Sequence, residues 1–203
     1  MSFKLPLAVF LAIIILASIF YLSKTGFFLT EQNNAIESNV HHTATEHFEY
    51  LTKNRNSACY GIRTVMQMSD GDTIKGSCCG PMVMHTYEEQ LEALKEYATI
   101  DKIPEDPYDI PVSSAKELIN DFKAIQLTSE QQQTYEDAKK MSHEEGPCCC
   151  GDDFSETSCW RWKVYGGLAK YLITEYNFDA EQIAEVWDIS DGCGGDHHVE
   201  GVH

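Results

Sequence analysis

Ser158 to Tyr176, SCWRWKVYGGLAKYLITEY, carries Trp160, Val164, Leu168, Tyr171 and Leu172 at steps dominated by three and four residues. Apolar residues at that period share one face of an α-helix. This stretch is the strongest core candidate in the chain, and it predicts a helical domain assembled around it.

The flanking sequence extends the pattern. Asp179 with Gln182 has the spacing of a capping box, in which a side-chain oxygen accepts the N–H three residues on and the acid or amide there reaches back. Thr86 with Glu89, Ser114 with Glu117, and Thr128 with Gln131 repeat it. Apolar stripes follow: Leu91, Leu94 and Tyr97; Leu118, Ile119 and Phe122; Ile183, Val186 and Trp187. The stretch Thr128 to Met141 is nearly all polar and gains an apolar face only from Tyr135, Ala138 and Met141. Upstream, His41 to Asn54 predicts a short helix through Phe48 and Leu51, and Asn56 to Gly80 reads as glycine-rich loop with one candidate strand at Ile62 to Met68. Pro104, Pro107 and Pro111 predict an extended crossover, because the residue before each proline is pushed out of the αR region.

The amino terminus differs from all of this. Leu5 to Leu22, LPLAVFLAIIILASIFYL, has no charge and lies between Lys4 and Lys24. At about 1.5 Å rise per residue it nearly matches a hydrocarbon core of about 30 Å. A cleaved signal peptide is the competing reading. The run exceeds a usual h-region and no clear small-x-small site follows it, which favours an anchor.

The expected fold class is therefore all-α: an N-terminal transmembrane helix plus a compact domain of about five or six helices with Cys-bearing loops. The expected organisation is an anchor at 1–25, a polar tether at 26–40, a Cys-rich helical domain at 41–190 and a Gly/His-rich tail at 191–203. Lys4 inside and a translocated C-terminal domain outside the cytoplasm follow from the positive-inside rule.

Charge narrows the partners. From Glu31 onward there are 13 basic and 32 acidic residues, a net −19. Such a domain is repelled by phosphate backbones, so nucleic acid is excluded as a favoured partner and metal ions are favoured. Acids at Glu181, Glu185 and Asp188 likewise argue against a DNA-reading helix in Leu168 to Ile189. No protein partner is indicated. No Gly-x-Ser-x-Gly, His-Glu-x-x-His or phosphate-cradling loop occurs, so hydrolytic chemistry has no support.

Eight cysteines carry the functional expectation. Cys78 and Cys79 stand in GSCCGPMVMH, Cys148, Cys149 and Cys150 in GPCCCGDD, and Cys159 opens the central helix. Adjacent cysteines bond to each other only in a strained ring, whereas thiolate ligation of a soft metal has no such penalty. Met82, Met84 and His85 add thioether and imidazole donors beside Cys78 and Cys79, a set that selects Cu(I) with Zn next. The expected metal ligands are Cys78, Cys79, Met82, Met84, His85, Cys148, Cys149, Cys150 and Cys159. Cys193, His197 and His198 in the tail form a candidate second metal site. A structural-disulfide domain and a thiol–disulfide oxidoreductase using Cys148 and Cys150 are the alternatives.

At Pro147, Cys148, Cys150 and Gly151 the chain resembles the PCYCGC-motif proteins, an exported, membrane-attached bacterial family of uncharacterised function. The resemblance implies an exported protein whose cysteine motif is linked to metal, with Cys148 and Cys150 in the motif. The family's last cysteine falls on Asp152 here.

Overall fold

A computed structural model describes residues 43–142 and 159–195. The chain divides between Glu46 and His47 into two compact units, and the second holds the core and the cysteine cluster. In order, the elements are a helix α1 over 43–53, α2 (Ile62–Gln67), strand β1 (Thr73–Lys75), α3 (Met84–Leu94) with a 3-10 turn Lys95–Tyr97, β2 (Asp109–Pro111), α4 (Val112–Ala124), α5 (Ser129–Met141), α6 (Trp160–Tyr171) with a π turn Leu172–Tyr176, and α7 (Ala180–Ile189).

The central element is α6. Every residue from Trp160 to Ala169 is buried, Arg161 and Lys163 included. The sequence suggests one apolar stripe, yet all faces of this helix are covered. The cations are accommodated by aromatic rings and carbonyls: Lys163 lies over Phe122 at 4.7 Å, and Lys170 donates to the carbonyls of Phe122 and Ile125 at the end of α4. Gly167 sets the distance between α4 and α6. A Cβ there would overlap the Leu118 carbonyl, so only glycine permits this backbone approach. On another side of the core Trp187 of α7 donates from Nε1 to the Tyr165 carbonyl and meets Tyr135 of α5 edge-on at 5.5 Å.

Two of the four expected caps form. Thr128 with Gln131 and Asp179 with Gln182 are complete capping boxes. The other two helices begin earlier: α3 at Met84 after Val83, and α4 at Val112 after Pro111, neither with a side-chain cap. In α4 the start is set by β2, which runs directly into it. The run Ile62 to Met68 is helix through Gln67 instead of strand, because Ile62 and Val65, three apart, are the residues that turn inward.

The all-α expectation is corrected by a two-stranded antiparallel sheet, in which Thr73, Ile74 and Lys75 pair with Pro111, Ile110 and Asp109. Ile74 and Ile110 are fully buried, so this small sheet is part of the core. The transmembrane expectation is corrected as well. Among the described residues no helix is long and apolar enough to cross a membrane. Even α6 with its π turn carries Arg161, Lys163, Lys170 and Glu175. The anchor expected at 5–22 lies outside the described residues, and a single-pass membrane protein with its C-terminal domain outside the cytoplasm is not supported.

Candidate metal centre

The sheet and the start of α6 bring three cysteine loops together. Asn56 and Ser57 donate their backbone N–H groups to the Lys75 carbonyl at the end of β1, and Asn56 Oδ1 accepts from Lys75 N at 2.6 Å. Trp160 then fixes the next residues, donating from Nε1 to the Ala58 carbonyl and from N to the Tyr60 carbonyl. Cys59 is held between these two anchors. Cys78 and Cys79 leave β1 three and four residues after Lys75, so the same strand end positions both loops.

The third loop comes from beyond α7. Cys78 N donates to Gly192 O, Cys79 N and Gly80 N both to Cys193 O, and Gly195 N to Pro81 O. Cys193 N donates to Asp191 Oδ1, and Gln90 of α3 binds the Asp191 carbonyl at 2.7 Å. The two segments thus lie backbone to backbone. Gly194 makes this fit: its φ is +79°, and a Cβ would stand 2.7 and 2.8 Å from the carbonyl oxygens of Gly80 and Pro81.

The sulfurs converge accordingly. Cys59 Sγ is 3.0 Å from Cys79 Sγ, Cys78 Sγ is 3.5 Å from Cys79 Sγ, and Cys78 Sγ is 3.6 Å from Cys193 Sγ. The sulfurs of Cys59, Cys78 and Cys79 lie mutually within 4.8 Å. Tetrahedral zinc with bonds of about 2.3 Å separates its sulfurs by roughly 3.8 Å. The 3.5 and 3.6 Å spacings are near that edge, while the 3.0 Å spacing of Cys59 and Cys79 would have to open to reach it. A disulfide bond of about 2.05 Å is much shorter than any of them. Comparison with family models, with curated proteins and with solved structures finds no match to this chain.

A buried cation borders the cluster. Arg161 is fully buried, stacks on Trp160 at 4.8 Å, and donates to the carbonyls of Pro107 at 2.9 Å and Gly76 at 3.5 Å. Burial alone lowers its pKa, but Tyr165, Cys78, Cys193 and Asp191 outweigh it and the net direction is up. The guanidinium therefore keeps its charge in the interior.

The expected ligands divide between several places. Cys78 and Cys79 are in the cluster. Met82 and Met84 pack instead on Leu51, Tyr87 and Tyr108, where Met82 Sδ accepts from Thr52 Oγ1 at 3.9 Å. His85 is exposed and pairs with Glu89 at 2.9 Å, one helical turn on. Cys159 is buried in the core as the residue before α6 and bridges Gly61. Cys148, Cys149, Cys150, His197 and His198 lie outside the described residues, as does the motif Pro147 to Gly151. Cys193, expected on a separate tail site, instead adjoins Cys78. Cys59 was not expected as a ligand at all; it stands alone in sequence, and only β1 and Trp160 bring it to Cys79.

Proposed function

We propose that the protein binds a soft, thiophilic metal ion, Cu(I) or Zn(II), through Cys59, Cys78 and Cys79. The observation that carries this reading is the mutual approach of three sulfurs within 4.8 Å on loops fixed by backbone hydrogen bonds. Two of the three, Cys59 and Cys79, are exposed, so an ion in solution or on a carrier has access, which suits buffering, sensing or hand-over. The acidic surface adds a field that draws cations toward the site. The test is titration of the reduced full chain with Zn(II) and with Cu(I). The wild type should bind at least one of them, and a variant with serine at 59, 78 and 79 should bind neither at that affinity. A reduced wild type that takes up neither ion ends the proposal.

The 3.0 Å approach of exposed Cys59 and Cys79 favours a second reading, thiol–disulfide exchange. In that reaction the pair reduces a small disulfide to two thiols and is itself left as a Cys59–Cys79 disulfide. Turnover of a small disulfide with a thiol reductant, abolished by Cys59→Ser, is the outcome that selects it over metal binding.

A further inference from the structure

We propose that Cys193 supplies a fourth sulfur, so that Cys59, Cys78, Cys79 and Cys193 make a tetrahedral four-thiolate site that prefers Zn(II), with Arg161 as its buried counter-charge. The inference rests on the metal-binding reading above and specifies its coordination.

Three observations carry it. First, Cys193 Sγ is 3.6 Å from Cys78 Sγ, close to the edge of a zinc–thiolate tetrahedron, roughly 3.8 Å. Cys193 lies outside the trio whose sulfurs are mutually within 4.8 Å and adjoins it from the Cys78 side, so four-thiolate binding requires its sulfur to turn toward Cys59 and Cys79. Second, its backbone is part of the site's scaffold: the Cys193 carbonyl accepts from both Cys79 N and Gly80 N, so the loop cannot drift from the other ligands without breaking two hydrogen bonds. Third, Arg161 is a fully buried cation whose hydrogen bonds go to two neutral carbonyls. Among the described residues no carboxylate lies within ion-pair distance of it.

A buried charge is costly unless an opposite charge balances it. Asp191 contributes at longer range, and Cys78 and Cys193 are, with Tyr165, among the anion-forming groups whose charge acts on Arg161. Gly192 leaves the space for this approach, since a Cβ there would overlap the guanidinium. A metal held by thiolates has a net negative charge, and Arg161 sits where it offsets that charge beside the two buried sulfurs. The thioethers that would favour Cu(I) are packed elsewhere, and a fourth thiolate matches the closed tetrahedral geometry of structural zinc.

The experiment compares the reduced full-length wild type with Cys193→Ser, using Zn(II) affinity by competition and the visible spectrum of the Co(II)-substituted protein. A tetrathiolate Co(II) spectrum in the wild type should give way to a weaker-field spectrum in Cys193→Ser, with Zn(II) affinity lower by roughly 100-fold, one bond of four being lost. If the wild type binds neither Zn(II) nor Cu(I), the metal-binding reading itself fails. If the wild type binds Zn(II) and Cys193→Ser keeps both affinity and spectrum, metal binding stands and the fourth-sulfur proposal is overturned. Should Cys193→Ser fail to fold, Cys193→His, which retains a donor, provides the second arm. X-ray absorption of its zinc complex should change from four sulfurs to three sulfurs and one nitrogen, and an unchanged shell overturns the proposal.

Discussion

Cys59 Sγ lies 3.0 Å from Cys79 Sγ, although the two residues are 20 positions apart and both are exposed. Their contact follows from a single strand end: Lys75 accepts the loop that leads to Cys59 and leads by its own chain to Cys79. Cys78, the neighbour of Cys79, is buried, as is Cys193 behind it. The cluster therefore has an outer and an inner half.

That asymmetry predicts thiol reactivity. A small aromatic disulfide reagent should modify Cys59 and Cys79 before Cys78 and Cys193 in the native reduced chain, because attack needs both thiolate and access. Bound Zn(II) should slow the outer pair by at least about tenfold, read by mass-spectrometric mapping of modified cysteines over time. Unchanged outer-pair rates in a chain shown to bind Zn(II) would mean that the ion sits elsewhere.

Gly194→Ala should both destabilise the fold and weaken metal binding. The left-handed φ and the close carbonyls of Gly80 and Pro81 leave no room for a Cβ, at a cost of about 1–3 kcal/mol. Chemical denaturation of the reduced apo chain reads the first effect and Zn(II) competition the second.

Gly167→Ala places a methyl group on the Leu118 carbonyl and forces α4 away from α6. A loss of about 3 kcal/mol or more is expected from overpacking that backbone contact. The added methyl would meet Leu118 and Phe122 and no cysteine, so folded protein that remains should bind metal with near wild-type affinity. A loss below about 1 kcal/mol in urea denaturation would show that the helices can separate freely.

Asp106 gives the fold a pH dependence. Burial holds its carboxyl above the ordinary 3.8, against the lowering effects of the Tyr108 N–H, the Tyr87 hydroxyl and His47, while Asp109 adds to the rise. The folded state therefore binds this proton more tightly than the unfolded chain. Its contribution is fully present below 3.8 and is lost as pH rises through the raised folded value. Asp106→Asn should remove that slope, so the variant gains on the wild type as pH rises from 3.8 toward neutrality. Denaturation midpoints of the two proteins across that range test it, and a pH-independent difference contradicts the assignment.

Local signals proved readable where the chemistry was local. The capping boxes at Thr128 with Gln131 and Asp179 with Gln182 close within one turn, and both are present. Thr86 and Ser114 have the same spacing but lie inside their helices, since packing and the entry from β2 begin those helices earlier. The Ile62 to Met68 run shows the limit of composition: β-branched residues suggest a strand, while burial of two residues three apart selects a helix.

Sequence alone determined that the central helix is the core and that two neighbouring helices are capped. Those properties depend on residue type and on spacing within a turn or two. Which sulfurs meet was decided only by tertiary structure, because Cys59, Cys79 and Cys193 are joined by strand-end and loop-to-loop hydrogen bonds between distant segments. A backbone N–H carries no record in the sequence of the carbonyl it will find, so the pairing of loops, and with it the composition of the site, emerges when the chain folds.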